Sequence, residues 1–371
     1  MSSKSELHEK YMEHALNLAK KGLGSVSPNP AVGSVIVREN KIIAEGFHTA
    51  FGKAHAEVEA LKNLELSGYI AEPSDTMYVT LEPCNHYGKT PPCTEAIIHA
   101  GIKNLVVAMQ DPNPLVAGSG IQRLKQAGVS VTTGVLEDQA KHINRAFIKN
   151  IISNKPFVRA KWAMTLDGKM ATDTGDSKWI SGESSRKLVH KWRLESDAVL
   201  IGSGTANKDN PKLNLRFVKG VNPYRLILDS QARLPIDSNL VVCDDPHKTV
   251  LITTDLAPQS KVRSLKNAGI QVIEVNRVGQ HIDLNSAFEA LAPLKIASIF
   301  SEAGPKLSGA LLQAGLIDEV AAFISPKLSG GSLFSPFNSF KIDAMENAVA
   351  LENIQIQMVD QDVLIEASVR R

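Results

Sequence analysis

The chain has 371 residues, 43% of them hydrophobic and 22% charged, which is enough apolar material for two cores and too ordinary a charge content for a disordered polymer. Lys plus Arg number 41 against 39 acids, so a net charge of +2 creates no global field for polyanions, and nucleic acid is not an expected partner. The opening MSSKSELHEK is polar, without an apolar signal core, and no apolar run approaches membrane-spanning length; a cytoplasmic protein with no membrane partner is expected.

In chain order, Glu6 to Lys21 carries apolar residues at helical spacing, with Gly22 as a stop. Val32–Val37 and Ile42–Phe47 read as a hairpin around Glu39-Asn40-Lys41. His55 opens a helix running to about Leu64, and Thr76–Leu81 is a strand. Cys93 opens a second short helix, closed by Gly101. Strands near Leu105–Ala108 and Val129–Thr132 follow, separated by a helix at Ile121–Gln126. Repeated helix–strand units after a hairpin imply a mixed sheet covered on both faces. A helix from about Asp138 ends near Ser153, and Pro156 disfavours helix just before it. The boundary there gives a first domain of 1–153 and a second of 157–371. The second begins with strand Phe157–Ala163 and continues with strands at Ala198–Ile201, Arg225–Leu228, Thr249–Thr253, Gln271–Val275 and Ile296–Phe300. The tail alternates at Ile354, Ile356 and Met358, turns at Asp360-Gln361 and returns through Val363–Ala367, a closing antiparallel hairpin on an otherwise parallel sheet.

His55-Ala-Glu57, Glu82-Pro-Cys84 and Pro92-Cys93 supply one imidazole, two thiols and an unpaired carboxylate. Zinc-dependent hydrolytic deaminases need that set: three protein ligands, a fourth position left to water, and a Glu that shuttles protons without binding metal. His55 and Cys93 stand at helix starts, where the dipole favours thiolate over thiol. Eight residues separate the cysteines, not the two of the commoner signature. Two bland readings compete. His86 could close the site as a fourth ligand and make the zinc structural, or both cysteines could be buried thiols without metal. Catalytic zinc is preferred because a structural site gives Glu57 no task. The third cysteine, Cys243, reads as a small buried residue on a strand, and three cysteines in all fit a reducing compartment.

Two glycine segments in the second half invite a nucleotide. Gly202-Ser-Gly-Thr-Ala-Asn207 resembles the start of a dinucleotide fingerprint but lacks its third glycine, so a plain strand-end turn is preferred. Ser301-Glu-Ala-Gly-Pro-Lys-Leu-Ser-Gly309 joins a buried strand to a helix over Gly309–Ala314, and could cradle a pyrophosphate or be an ordinary turn.

Ser27-Pro-Asn-Pro-Ala-Val-Gly33, Gly46-Phe-His48, His55-Ala-Glu57 and Leu81-Glu-Pro-Cys-Asn-His-Tyr-Gly-Lys-Thr-Pro-Pro-Cys93 together resemble the bifunctional riboflavin-biosynthesis deaminase/reductase family. Lys161-Trp-Ala-Met-Thr-Leu-Asp-Gly168, Trp179-Ile-Ser181, Asp209-Asn-Pro211 and Ser301-Glu-Ala-Gly304 resemble its reductase half, so the likeness covers nearly the whole chain. Ala54 departs from the commoner Pro before His-Ala-Glu, and Met164-Thr165 varies among relatives; neither removes a required group. The resemblance implies an α/β chain, with an N-terminal cytidine-deaminase-like three-layer domain and a C-terminal dihydrofolate-reductase-like domain. It implies one Zn²⁺ per chain, NADPH, small phosphoribosyl-aminopyrimidine substrates and a homo-oligomer. It assigns zinc to His55, Cys84 and Cys93, proton transfer to Glu57, and the deaminase substrate to Asn29, His48 and Lys89. Lys161, Ser177, Arg193, Leu213, Arg216 and Glu302 would meet the reductase substrate. Ala163, Trp179, Thr205, Asp209, Ser230, Gly304, Lys306, Ser308 and Gly309 would line the cofactor. Taken singly, several have plainer readings: Trp179 as core, the arginines and Lys161 as surface residues, Asn29 as a turn residue.

Overall fold

The computed structural model describes residues 4–87, 91–114, 116–331 and 334–370. Two compact units divide the chain, Met1–Asn154 and Lys155–Arg371, each with its own sheet. Among the described residues no helix is long and apolar enough to cross a membrane.

The first unit runs α1 (Lys4–Lys20), β1 (Gly33–Arg38), β2 (Lys41–Phe47), α2 (Ala56–Leu66), β3 (Thr76–Leu81), α3 (Cys93–Ala100), β4 (Asn104–Met109), α4 (Ser119–Gln126), β5 (Ser130–Thr133), α5 (Glu137–Ile143) and α6 (Arg145–Ser153). Its sheet has the order β2-β1-β3-β4-β5, antiparallel through β2-β1-β3 and parallel through β3-β4-β5. Glu39 and Asn40, at φ 48° and 61°, form the two-residue turn of the β1–β2 hairpin. Two glycines let helices close on this hairpin. A Cβ on Gly33 would lie 2.0 Å from the Ala15 carbonyl of α1, and one on Gly46 would lie 2.4 Å from the Ala60 nitrogen of α2. Gly46 pairs with Ser34, the neighbour of Gly33, so the two glycines point to opposite faces and the sheet lies between α1 and α2. The buried Val35, Ile36, Met77, Val79, Leu105 and Val107 fill the layers between.

Sequence periodicity predicts one helix from Asp138 to Ser153; the structure has two, broken at Asn144. The cause is a buried side chain. Asn144 Oδ1 accepts the Ala31 amide at 2.8 Å, while its Nδ2 donates to the Ala31 carbonyl at 3.0 Å. Both polar groups of an otherwise unpaired loop residue are thereby satisfied, at the expense of helix continuity.

The second unit runs β6 (Phe157–Thr165), α7 (Glu183–Glu195), β7 (Ala198–Gly202), α8 (Ser203–Asp209), β8 (Tyr224–Leu228), β9 (Thr249–Thr253), α9 (Gln259–Asn267), β10 (Gln271–Glu274), a small ribbon of β11 (Arg277–Val278) and β12 (His281–Ile282), α10 (Leu284–Glu289), β13 (Ser298–Ser301), α11 (Pro305–Gln313), β14 (Glu319–Ser325), β15 (Leu351–Val359) and β16 (Asp362–Val369). Nine strands form one sheet in the order β10-β9-β8-β7-β13-β6-β14-β16-β15. The first seven are parallel; β16 and β15 close it as the expected antiparallel hairpin. Alternate residues of β7 serve different cores, Val199 and Ile201 on one face, Ala198 and Leu200 on the other. Both faces are therefore covered, as a parallel sheet requires.

Three expectations need correction. The strand β14 goes unnoticed in the sequence because Glu-Val-Ala-Ala-Phe-Ile neither alternates nor is rich in β-branched residues. The last helix starts at Pro305 rather than Gly309, with proline at its first position, where no N–H is needed. Cys243 is half-buried in a bend, not on a strand: Leu240 and Val241 turn inward while Val242 is exposed, and Asp245-Pro246 ends the run.

Candidate active sites

In the first unit α2 and α3 start beside one another at the end of β3. The ligand atoms of His55, Cys84 and Cys93 all lie within 4.8 Å of one another, a grouping able to hold a metal ion. His55 Nδ1 is 3.3 Å from Cys93 Sγ and 3.6 Å from Cys84 Sγ. The Cys93 amide donates to Cys84 Sγ at 3.4 Å. Hydrogen bonding from Cys93, against the opposing effect of burial, lowers Cys84 to about 4, and His55 adds to this. Sharing a proton with Cys84, and burial, push Cys93 up, and the bond to Cys84 raises His55. One imidazole and two thiols, one of them acidified, thus converge as a donor set for a divalent cation such as zinc.

Glu57 lies in the first turn of α2 and is buried; burial pushes its carboxyl up to about 7. His48 Nδ1 bonds the Ala54 carbonyl at 2.9 Å, so that nitrogen donates, and Nε2 is left to accept from Asn29 Nδ2 at 3.2 Å. Burial lowers the His48 pKa despite the Ala54 carbonyl, with His55 adding to the effect, consistent with that neutral tautomer. The His48 ring meets the His55 ring edge-on, with centroids 5.5 Å apart. The structure therefore brings Asn29, His48, His55, Glu57, Cys84 and Cys93 together. Lys89 lies outside the described residues. His86 is exposed and, among the described residues, is not part of the ligand group.

Sequence reasoning overlooked Glu82, the residue that follows β3. It is buried, and its carboxylate accepts the amides of Asp111, Gly118, Gly120 and Ile121 at 3.2, 2.9, 2.9 and 3.1 Å. The one signal available was a glutamate directly after an apolar strand, with two glycines placed for close backbone approach further on.

In the second unit the candidate site lies at the carboxyl ends of the parallel strands, around β13, where the strand order departs from chain order. Glu302 follows β13 and forms a two-pronged pair with Arg193 of α7, at 2.6 and 3.0 Å. The third guanidinium nitrogen donates to the Asn214 carbonyl at 3.2 Å. Arg193, which the resemblance assigns to the reductase substrate, has its fork occupied by Glu302. Burial pushes the Glu302 carboxyl up, but the charge and hydrogen bonds of Arg193, with Lys161 and His190, together outweigh it and the net shift is downward. Burial lowers Lys161, opposed by Glu302. Leu213 is buried at φ 49°, and Arg216, close by, is exposed. The Arg216 amide donates to His190 Nδ1 at 3.2 Å, and the His190 ring meets Phe217 edge-on. Ser177 and Trp179 sit on an exposed segment. Lys327 donates to the carbonyls of Trp179 and Ile180 at 2.7 and 3.1 Å, and Arg186 stacks 4.6 Å from the Trp179 ring centre, so that tryptophan is not core.

Gly202 and Gly304 precede the first turns of α8 and α11, with the fit between them close. A Cβ on Gly304 would lie 3.5 Å from Thr205 Oγ1, and one on Gly202 would lie 3.4 Å from a Leu307 methyl. Ala163 is half-buried near the end of β6, and Asp209 is exposed at the end of α8. Ser230, after β8, accepts Thr254 Oγ1 on its carbonyl at 2.9 Å; the buried Thr253 hydroxyl has no partner among the described residues. Within 304–309 the assignments divide. Lys306 is exposed, but the Ser308 hydroxyl is spent on the Ala303 carbonyl at 3.1 Å. A Cβ on Gly309 would strike Ser339 Oγ at 2.1 Å, so that glycine admits the 339–340 backbone rather than a ligand.

Comparison with known proteins accounts for both units. Residues 5–109 match the model of the cytidine and deoxycytidylate deaminase zinc-binding region, and residues 156–365 match that of the RibD C-terminal domain. The riboflavin biosynthesis protein RibD of Aquifex aeolicus is 40% identical over 361 residues, covering 97% of this chain and 98% of its own length. That of Escherichia coli is 36% identical over 370 residues, covering 96% and 98%. RibD of Acinetobacter baumannii superposes with a TM-score of 0.85 at 37% identity, over 99% of this chain and 100% of that one. The diaminohydroxyphosphoribosylaminopyrimidine deaminase/5-amino-6-(5-phosphoribosylamino)uracil reductase of Thermotoga maritima gives 0.86 at 34% identity, with the same coverage. Two units, each with its own chemistry, and relatives that match across both leave one conclusion: the chain belongs to the bifunctional riboflavin-biosynthesis deaminase/reductase family.

Proposed function

We propose that the first unit hydrolyses the ring amine of 2,5-diamino-6-(5-phosphoribosylamino)pyrimidin-4-one, and that the second reduces the product's ribosyl group to ribityl with NADPH. The observation that carries the reading is the group of His55, Cys84 and Cys93 around a buried Glu57. One imidazole and two thiols suit one zinc ion with an open fourth position. A bound zinc ion supplies the positive charge that makes water acidic near neutral pH. With that charge present Glu57 would be drawn toward carboxylate, suited to pass one proton from the attacking water to the ring nitrogen and a second from the new hydroxyl to the amine that leaves as ammonia. Asn29, oriented by its bond to His48 Nε2, is assigned to hold the pyrimidine by hydrogen bonds, with His48 fixing it from behind, and Lys89 is assigned to the phosphate.

In the second unit NADPH supplies the hydride for the ribose C1′. Opening the sugar also needs a proton at the ring oxygen. Lys161, with its pKa lowered by burial and Glu302 nearby, is suited to give it. Arg193 fixes the Glu302 carboxylate, and the exposed Arg216 is free to reach a sugar phosphate. Gly304 and Thr205, at adjoining helix starts, suit a pyrophosphate, and the unpartnered Thr253 hydroxyl with Ser230 suits the ribose-phosphate end. Ala163, Trp179, Asp209 and Lys306 are assigned to the rest of the cofactor, and Ser177 and Leu213 to the substrate.

Purified protein is incubated with the diaminopyrimidine phosphate or with cytidine, with and without NADPH. Ammonia release from the first alone, followed by NADPH oxidation, is the expected result. Release from cytidine at a comparable rate overturns the substrate assignment. Equal kcat/KM for NADH and NADPH removes the 2′-phosphate contact while leaving the reductase reading intact.

A further inference from the structure

Glu82 sits between β3 and the first cysteine ligand, and its four amide partners are Asp111, then Gly118 just before α4, and Gly120 and Ile121 at the start of that helix. Gly120 lies directly on the loop that carries Cys84: a Cβ on it would come within 2.1 Å of the Pro83 carbonyl oxygen. From there a chain of hydrogen bonds leads to both cysteines. The Ser119 carbonyl accepts Asn85 Nδ2 at 3.4 Å, and Asn85 Oδ1 accepts the Thr94 hydroxyl at 3.0 Å. The Thr94 amide donates to the Cys84 carbonyl at 3.2 Å, and the Cys93 amide to Cys84 Sγ at 3.4 Å. A buried carboxylate that gathers four amides is a rigid anchor, because charge-assisted bonds are the strong ones and an unmatched buried amide is costly.

We propose that Glu82 is a positioning residue for the zinc site: by tying residues 118–121 against Pro83, it fixes the distance between the Cys84 and Cys93 segments. The inference rests on the reading of His55, Cys84 and Cys93 as zinc ligands. Metal sites tolerate only small displacements of their ligands, and loss of an outer hydrogen-bonding partner typically costs about 10–100-fold in metal affinity.

The other end of the same strand provides the control. Asp75 is also buried, and accepts Arg38 Nε at 2.7 Å, Arg38 Nη2 at 2.9 Å and the Glu72 amide at 2.8 Å, none of them on a ligand segment. Zinc affinity of the full chain is measured by competition with a chromogenic chelator, alongside the melting temperature, for wild type, E82Q and D75N. In E82Q the carboxylate becomes an amide whose NH₂ faces backbone donors. It should bind zinc about tenfold or more weakly, while D75N loses melting temperature and keeps wild-type affinity. Wild-type affinity in E82Q overturns the proposal, and so does an equal loss in both variants, which would mean that affinity merely follows stability. Should E82Q not fold, T94V removes only the link to Asn85 and should still weaken zinc binding several-fold; unchanged affinity there overturns the proposal too. A wild-type chain that binds no zinc overturns the ligand reading itself, a result distinct from any of these.

Discussion

Glu57 is buried at a place where burial works against its charge, and that cost is measurable. Its folded pKa, about 7, stands above the ordinary 4.5 of a glutamate. Between those values the folded state holds a proton that the unfolded chain has released, so stability falls as pH rises through the window and stays low above it. In zinc-stripped protein E57Q removes the penalty, and should gain up to about 3 kcal/mol over wild type above pH 7, with no gain below pH 4.5. The same variant, loaded with zinc, should retain the metal and lose at least about 10²–10⁴-fold in deamination. Denaturant titrations at pH 4.5 and 8, with metal analysis and an ammonia assay, check all three; zinc loss or surviving activity defeats the proton-shuttle role. His190 gives the opposite sign. Burial, then Arg193 and Arg216, hold its pKa at about 4, below the ordinary 6.5. The unfolded chain therefore gains a proton first, and stability is lost as pH falls from 6.5 toward 4. Protonation would also end its acceptance of the Arg216 amide. H190Q should flatten this acid dependence in urea titrations at pH 7 and 5; an unchanged slope would show that other groups set it.

At the scale of elements, single polar side chains decide where helices break and loops rest. N144A should leave the Ala31 amide and carbonyl without their buried partner, and cost about 1–3 kcal/mol. A loss under 0.5 kcal/mol in chemical denaturation would mean that water replaces the clamp without strain. This clamp also marks the limit of what the sequence discloses. The strand Thr76–Leu81 and the two ligand-bearing helix starts are legible, because alternation, proline and glycine act locally. So is the closing hairpin, where Ile354, Ile356 and Met358 alternate before a turn. Asn144 bonds a residue 113 positions away, and Glu82 bonds amides up to 39 positions away; no local pattern announces either. The alanine-rich β14 is a strand because β6 and β16 flank it, which is tertiary information. In the candidate reductase site, the resemblance names Arg193 and Glu302 as substrate contacts, and only the fold shows the Arg193 fork turned to Glu302.

At the scale of the whole molecule, each unit has buried apolar clusters of its own among the described residues. One buried cluster runs from Tyr11 to Ile143, and two others, on the faces of the nine-stranded sheet, run from Val158 to Ala367. A single passage of chain joins the units: Asn154 ends α6 in the left-handed conformation, and Pro156 precedes β6. Separate cores predict that each unit folds without the other. A fragment beginning at Lys155 should therefore unfold in one cooperative transition and reduce supplied 5-amino-6-(5-phosphoribosylamino)uracil with NADPH, while releasing no ammonia from the diamino precursor. The complementary fragment ending at Asn154 should show the converse, with zinc retained. Circular dichroism melts and separate assays of the two fragments read this directly. A second fragment that is unfolded, or that binds NADPH only when mixed with the first, would show that the reductase depends on contacts its own two cores do not supply.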